Sequence, residues 1–212
     1  MSRARVSLRS PPEPRALAGF PRRHLDPATP VFRVVRRGQG PWWFSSDGTG
    51  RFDLEPPSGT CYLATTPVAA LLELLGPELA QTRAISTEAL EDRDVRELRL
   101  PRRVRLADAV SRRAAAFGVT AELTTIVPYA LPRAWARALA GADFAGIRHA
   151  VRHDPEGRPE GVALFDAAGE RKWRRGRVLP PAAILAELES ATGIRVLPRP
   201  TLASLDVYRP EP

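Results

Sequence analysis

Apolar positions recur along the chain at two spacings, and those spacings divide it into elements. Val68, Leu71, Leu72 and Leu75 share one face at helical spacing, behind Thr66-Pro67. A threonine cap and a proline at the first helical position suit a helix start. The pattern predicts a short helix over 68–75, ended by Gly76-Pro77. Val31 to Arg36 (VFRVVR) reads as a strand that sets Arg33 on the opposite face from Phe32 and Val34. A second β-type run ends at Tyr62, after the turn Pro56-Pro57-Ser58-Gly59.

Further on, Thr82 to Thr87 reads as a strand, and Val95 to Leu106 alternates imperfectly around Pro101. Ala107 to Phe117 and Pro132 to Ala140 have helical composition and period. Gly146 to Val151 and Gly161 to Phe165 read as strands joined by the turn-rich loop 153–157. A helix over Pro181 to Ala191 is followed by Gly193, a strand at Ile194 to Leu197 and a last short strand at Leu205 to Tyr208. Residues 1–29 intersperse arginines with Pro11, Pro12, Pro14, Pro21 and Pro27, which predicts a flexible arm with some extended structure. Residues 30–170 then form the main domain, with 171–212 packing on it. Strands and helices mix without strict βαβ alternation, so the expected class is α+β. There is no G-x-G-x-x-G after a strand to support a doubly wound dinucleotide fold.

With 212 residues, 43% hydrophobic and 26% charged, the chain has the composition of a soluble globular domain with a real core. No apolar run approaches bilayer-spanning length and no signal-type apolar stretch follows the first residues, so no membrane role is expected. The single cysteine, Cys61, excludes an internal disulfide and fits a reduced, cytoplasmic protein. The net charge of +8 is carried almost wholly by arginine, Lys172 being the one lysine. Arginine suits bidentate phosphate recognition, so an anionic partner is expected: a dinucleotide, an acidic protein or nucleic acid. The densest basic run (Arg96, Arg99, Arg102, Arg103, Arg105, then Arg112 and Arg113) reads first as a solvated face. No aromatic residue interleaves it, which argues against single-stranded nucleic acid.

Glu73 points away from the apolar face of its helix, and its neighbours Ala69, Ala70, Gly76 and Pro77 leave an open patch above it. It reads either as a solvated helix glutamate or as a carboxylate that a ligand can approach. Trp42, Trp43 and Phe44 sit together in a loop, where one aromatic packs inward and another covers a surface. His149 and His153 have the spacing of a helical metal pair but fall on a strand and a turn, so no metal site is expected. No elbow motif surrounds Ser45, Ser46 or Ser58, which leaves a serine hydrolase unsupported.

Phe32-Arg33, Gly50-Arg51-Phe52-Asp53, Gly59-Thr60-x-Tyr62-Leu63-Ala64 and Ala70-Leu71-x-Glu73 stand in an order that resembles the RES-domain family, as do Leu123-Thr124-Thr125, Tyr129, Ala134-Trp135-Ala136, Gly146-Ile147 and Val162 to Phe165. These are bacterial NAD-degrading toxins of toxin–antitoxin pairs, and the resemblance covers about residues 30 to 170. It implies a mixed, split sheet with flanking helices, like ADP-ribosyltransferase toxins, clamping NAD as substrate. Breaking the nicotinamide–ribose bond passes through an oxocarbenium-like centre. By this resemblance Glu73 and Arg33 are the catalytic positions. Arg33 and Arg51 would clamp the pyrophosphate, Tyr62 the nicotinamide and Glu73 the ribose. Inorganic phosphate is implied as co-substrate and an antitoxin as partner, with a homodimer as an option.

The family's serine is missing: Gly146 to Asp154 reads GIRHAVRHD, with Val151 at that position, or Ala150 after a one-residue slip. Losing one substrate hydrogen bond removes about 1–3 kcal/mol, roughly 5- to 150-fold. The alternatives are a degenerate module that binds NAD or a partner without turnover, and a basic nucleic-acid-binding protein.

Overall fold

β-Branched and aromatic runs flanked by turn residues form the strands of this chain, and they pair into one long mixed sheet. A computed structural model describes residues 6–153 and 160–199. Its elements in order are β1 (Arg22–Leu25), β2 (Val31–Arg36), β3 (Trp43–Phe44), β4 (Ser58–Ala64), α1 (Pro67–Thr82), β5 (Ala84–Ser86), β6 (Arg93–Leu98), β7 (Val104–Asp108), α2 (Glu122–Thr125), α3 (Ala130–Gly141), β8 (Gly146–Ala150), β9 (Glu160–Ala167), β10 (Gly169–Glu170), β11 (Arg177–Leu179), α4 (Pro181–Thr192) and β12 (Arg195–Leu197). The main sheet runs β1-β7-β8-β9-β4-β2-β6-β11, with the small pairs β3/β10 and β5/β12 beside it. β7 and β8 are parallel; the other neighbours in the main sheet are antiparallel.

The sheet is split, as the family resemblance implies. β4 pairs with β9 from Ser58↔Ala167 to Ala64↔Gly161, and β2 with β6 from Val31↔Leu98 to Arg36↔Arg93. Between these two halves, β2 and β4 meet only at Phe32↔Ala64. Helix α1 spans the break. Its Val68, Leu71, Leu72 and Leu75 are buried with Phe32 of β2 and Ala64 of β4, and with Leu185 and Leu188 of α4. A second cluster gathers Phe52, Ile147, Trp135 and Leu139 beneath α3. A third, on the other side, holds Trp42, Phe44, Cys61 and Leu98.

Three expectations are corrected. Helix α1 begins as read, with the Thr66 side chain accepting from the Ala69 N–H at 3.0 Å. It does not stop at Gly76-Pro77 but runs on to Thr82, closing on Arg83 in the left-handed region at φ 52°. Proline there removes one i→i−4 bond, to the Glu73 carbonyl. Leu79 continues the buried stripe of Leu72 and Leu75, and that burial, about 1.5–3 kcal/mol, offsets much of the loss. Gly76 serves packing instead of termination: a Cβ there would overlap the ring of His153.

The N-terminal segment read as a flexible arm is packed from Leu8 on. β1 pairs with β7, Leu8, Leu17 and Phe20 are buried, and the Trp135 indole donates to the Arg9 carbonyl at 2.9 Å. Its prolines block helix and ladder, but its apolar residues still find the core. Finally, the run from Ala107 is not one helix. Ala107 and Asp108 finish β7 beside β8, and only Arg112–Phe117 coils, as a 3₁₀ helix capped by Ser111. A salt bridge of 2.6 Å from Arg148 to Asp108 holds the strand end.

The aromatic loop follows its expectation, with Trp42 and Phe44 buried and Trp43 exposed. The predicted strand at Leu205 to Tyr208 and most of the loop 153–157 lie outside the described residues.

If α1 clamps the two half-sheets, Leu71→Ala removes its most central contact. It should lower the unfolding free energy by about 2–5 kcal/mol. Urea melts measure this directly, and a loss below about 0.5 kcal/mol would show that the helix is not the clamp.

Candidate functional site

The break between β2 and β4 opens a cavity of about 350 Å³. It is lined by Phe32, Arg33 and Val34 of β2, Tyr62 to Ala64 of β4 and Ala70, Glu73 and Leu74 of α1, with Arg51, Tyr129, His149, Arg152 and His153 at its ends. This is the size range of small-molecule sites.

Arg51 is placed by a latch. The turn Gly50 to Asp53 folds back so that the Gly50 N–H donates to Asp53 Oδ2 at 2.8 Å. The Tyr62 hydroxyl donates to Asp53 Oδ1 and accepts from the Phe52 N–H, each at 2.8 Å. Thr60 Oγ1 donates to the Phe52 carbonyl at 2.8 Å and accepts from the Leu54 N–H at 3.2 Å. Asp53 and Thr60 are both buried, so each bond is shielded from water. Burial pushes the Asp53 carboxyl up, and the bonds from Gly50 and Tyr62 oppose it. Burial, then the Asp53 charge, pushes the Tyr62 hydroxyl far up, so it stays protonated. Asp53 is therefore spent on the turn and does not neutralise Arg51.

The Arg51 guanidinium lies over the Tyr129 ring, 4.5 Å from its centroid, and donates to the Ile126 carbonyl at 3.2 Å. Burial is the largest influence lowering its pKa, Arg152 adds to it and Glu73 opposes it. An arginine remains charged in such a site, so the half-desolvated cation favours an anion. Glu73 is exposed on the facing helix, with Oε1 3.4 Å from the Arg152 N–H. Among the described residues neither Arg33 nor Arg51 has a carboxylate at ion-pairing distance.

The site residues expected from the sequence separate into three groups. Arg51, Tyr62 and Glu73 line one cavity, though the Tyr62 hydroxyl is committed to the latch and only its ring is free to meet a ligand. Arg33 lines the cavity too, but its Nη1 donates to the Pro41 and Trp43 carbonyls at 2.6 and 3.0 Å and lies 2.9 Å from the Cys61 sulfur. Val151 is not brought to the cavity; it is 2% exposed, packed in the core shared by α1 and α4. Residue 151 follows β8 on the face that α1 covers, so an aliphatic side chain there joins the core. Cys61 is buried, and burial pushes its thiol up to about 11 against the pull of Arg33.

Residues missed as site members are Tyr129, His149, Arg152 and His153. In the sequence Tyr129 stands out only by its place in the motif order, and the two histidines only by their metal-like spacing. Among the described residues no group of three or more His, Cys, Asp or Glu clusters to hold a metal, and no helix is long and apolar enough to cross a membrane. Part of the basic run is engaged in pairs: Arg96 with Asp94 at 2.7 Å, Arg99 with Glu97 at 3.0 Å and Arg103 with Asp26 at 3.1 Å, while Arg102, Arg112 and Arg113 are exposed. Arg105 covers the Phe144 ring and donates to the Ala142 and Asp143 carbonyls. A nucleic-acid stripe would need these cations free.

The site is a cleft at the break of a split α+β sheet, lined by an arginine and a carboxylate from facing elements. The family model of the RES domain matches residues 30–180, and the chain belongs to that family. Its fold is similar to that of a chain in the crystal structure of the M. tuberculosis MbcT–MbcA toxin–antitoxin complex. The TM-score is 0.56 at 16% identity, over 79% of this chain and 92% of the other. No curated protein sequence matches it.

His149 offers a pH test. Burial is the largest cause holding its imidazole below the ordinary histidine value; Glu73 opposes and Arg51 assists. His153 is also lowered, by burial first and then Arg152. Just below the unfolded value, near 6.5, the unfolded chain thus binds more protons than the native one, so stability falls as pH drops through that window. Urea midpoints should decrease from pH 7.5 to 5, and His149→Phe should flatten the decrease. Equal slopes in the two proteins would remove His149 from the account.

Proposed function

We propose that the chain is a RES-type toxin enzyme that cleaves NAD⁺ at the nicotinamide–ribose bond, with inorganic phosphate as acceptor. The observation that carries this is the convergence of Arg51, Arg152, Glu73 and the Tyr62 and Tyr129 rings on one cavity at the break in the sheet. Arg51 and Arg152 meet the pyrophosphate through charge-assisted hydrogen bonds. Arg33 extends the cationic wall from the other edge. The Tyr62 ring supplies an apolar face for the nicotinamide. As the C1′–N bond breaks, its electron pair goes to the pyridinium nitrogen and nicotinamide leaves neutral. Glu73 stabilises the positive charge left on the ribose, and a phosphate oxygen bonds to C1′.

An antitoxin that covers the cleft would block entry of NAD; the likeness to a chain of a toxin–antitoxin complex supports such a partner.

A second reading, binding without turnover, draws on Val151. Its side chain is aliphatic and faces the core, so it offers no hydroxyl to a substrate.

Nicotinamide release from NAD, measured with and without phosphate, separates the two. The first reading expects phosphate-dependent release that Glu73→Gln lowers by about 10²- to 10³-fold, the usual loss for one electrostatic stabiliser. NAD binding without release would establish the second reading, and neither binding nor release would contradict both.

A further inference from the structure

His149 is a buried side chain with one nitrogen left over. Its ring is 4% exposed, on β8 directly opposite Gly161 of β9. The site is built for it: a Cβ on Gly161 would overlap the imidazole, and the Phe52 ring packs 5.0 Å away, centre to centre. Nδ1 stands 3.0 Å from the Ala150 carbonyl. A carbonyl only accepts, so Nδ1 carries the proton and Nε2 of the neutral ring presents a lone pair. Nε2 is buried and has no hydrogen-bond partner among the described residues. Leaving a buried polar atom unpaired destabilises a fold, and such atoms call for an explanation.

Two other buried nitrogens share this condition, Nε of Arg96 and of Arg171. Both belong to guanidiniums that are ion-paired through Nη2 and neither lines the cleft. His149 does line it, within the electrostatic reach of Glu73 and Arg51. It also forms part of the wall of a second cavity, of about 350 Å³, bounded by residues of the 109–124 segment.

We infer that His149 is a ligand-binding residue whose Nε2 accepts a hydrogen bond from an O–H or N–H of the nucleotide in the cleft. This rests on the NAD reading above. The polar group that Val151 cannot supply comes from two residues earlier on the same strand. A dinucleotide offers three kinds of such donor: a ribose hydroxyl, the nicotinamide carboxamide and the adenine amino group. In the free protein Nε2 waits unpaired, and the ligand satisfies it. The residue thus trades stability of the empty fold for affinity.

The test uses calorimetric titration of NAD into the full-length protein and the variants His149→Phe and His149→Gln, beside thermal melts. Phenylalanine keeps an aromatic ring over Gly161 and removes the acceptor. It should weaken NAD binding roughly 5- to 150-fold, without lowering the melting temperature. Glutamine carries an amide oxygen near the place of Nε2 and should recover part of that affinity. Unchanged affinity in His149→Phe would overturn the inference while leaving the cleft reading intact. If His149→Phe loses both stability and affinity, glutamine decides: recovery supports the inference, and affinity no better than phenylalanine overturns it. A wild-type protein that binds no NAD would take down the cleft reading and this inference together. Nicotinic acid adenine dinucleotide, which lacks the amide N–H, identifies the donor. An equal loss on His149→Phe assigns a ribose hydroxyl or the adenine amino group, and a loss confined to NAD assigns the carboxamide.

Discussion

The single backbone pair Phe32↔Ala64 is the joint on which the site depends. Strands that stay in register bond to each other along their length, and they leave no room between them for a ligand. Here β2 is committed to β6 and β4 to β9, while β2 and β4 part after one pair. Such an opening would be unstable with nothing to hold its halves. Helix α1 does so by laying Leu71, Leu72 and Leu75 over both strands and against α4. The same helix then carries Glu73 on its free side, so the element that closes the sheet's core also places the carboxylate at the break.

The opposite wall is held by the latch of Tyr62, Asp53 and Thr60 around the turn that bears Arg51. Two buried side chains, Asp53 and Thr60, and the half-buried Tyr62 orient one guanidinium, which is the pattern expected where a cation must stand ready for an anion in a partly dry site. Tyr62 illustrates how one residue divides its roles, its hydroxyl facing the turn and its ring facing the cavity. Because Asp53 is engaged there, Arg51 and Glu73 face across the cleft without an intervening ion pair. At reduced dielectric that separation of charge is what a polarised glycosidic bond would meet.

Much of this was legible in the chain. Thr66-Pro67 and the Val68-Leu71-Leu72-Leu75 stripe marked the start and buried face of α1, and the VFRVVR run marked β2. The motif order pointed to Arg51, Tyr62 and Glu73 as neighbours, which no local spacing could. Other features depended on tertiary context. Gly76-Pro77 is a stop by local rules, but Leu79 and the close approach of His153 carry the helix through it. The proline-rich start looked solvated because periodicity fails there, yet Leu8, Leu17 and Phe20 reach the core one at a time. His149 could not be singled out from the sequence: its meaning lies in Gly161, which faces it from a strand twelve residues away in the chain. Val151 was placed by alignment at a substrate-facing position, and only the packing of α1 and α4 shows it to be core.

The central claim is that the break between β2 and β4 is the NAD site. A crystal structure with a carbocyclic NAD analogue that cannot be cleaved tests it most directly. The account predicts the pyrophosphate beside Arg51 and Arg152, the nicotinamide-side ribose within hydrogen-bonding distance of Glu73, and the ligand between the two half-sheets. Density for the analogue elsewhere on the protein, or a cleft that stays empty at saturating analogue, would contradict it.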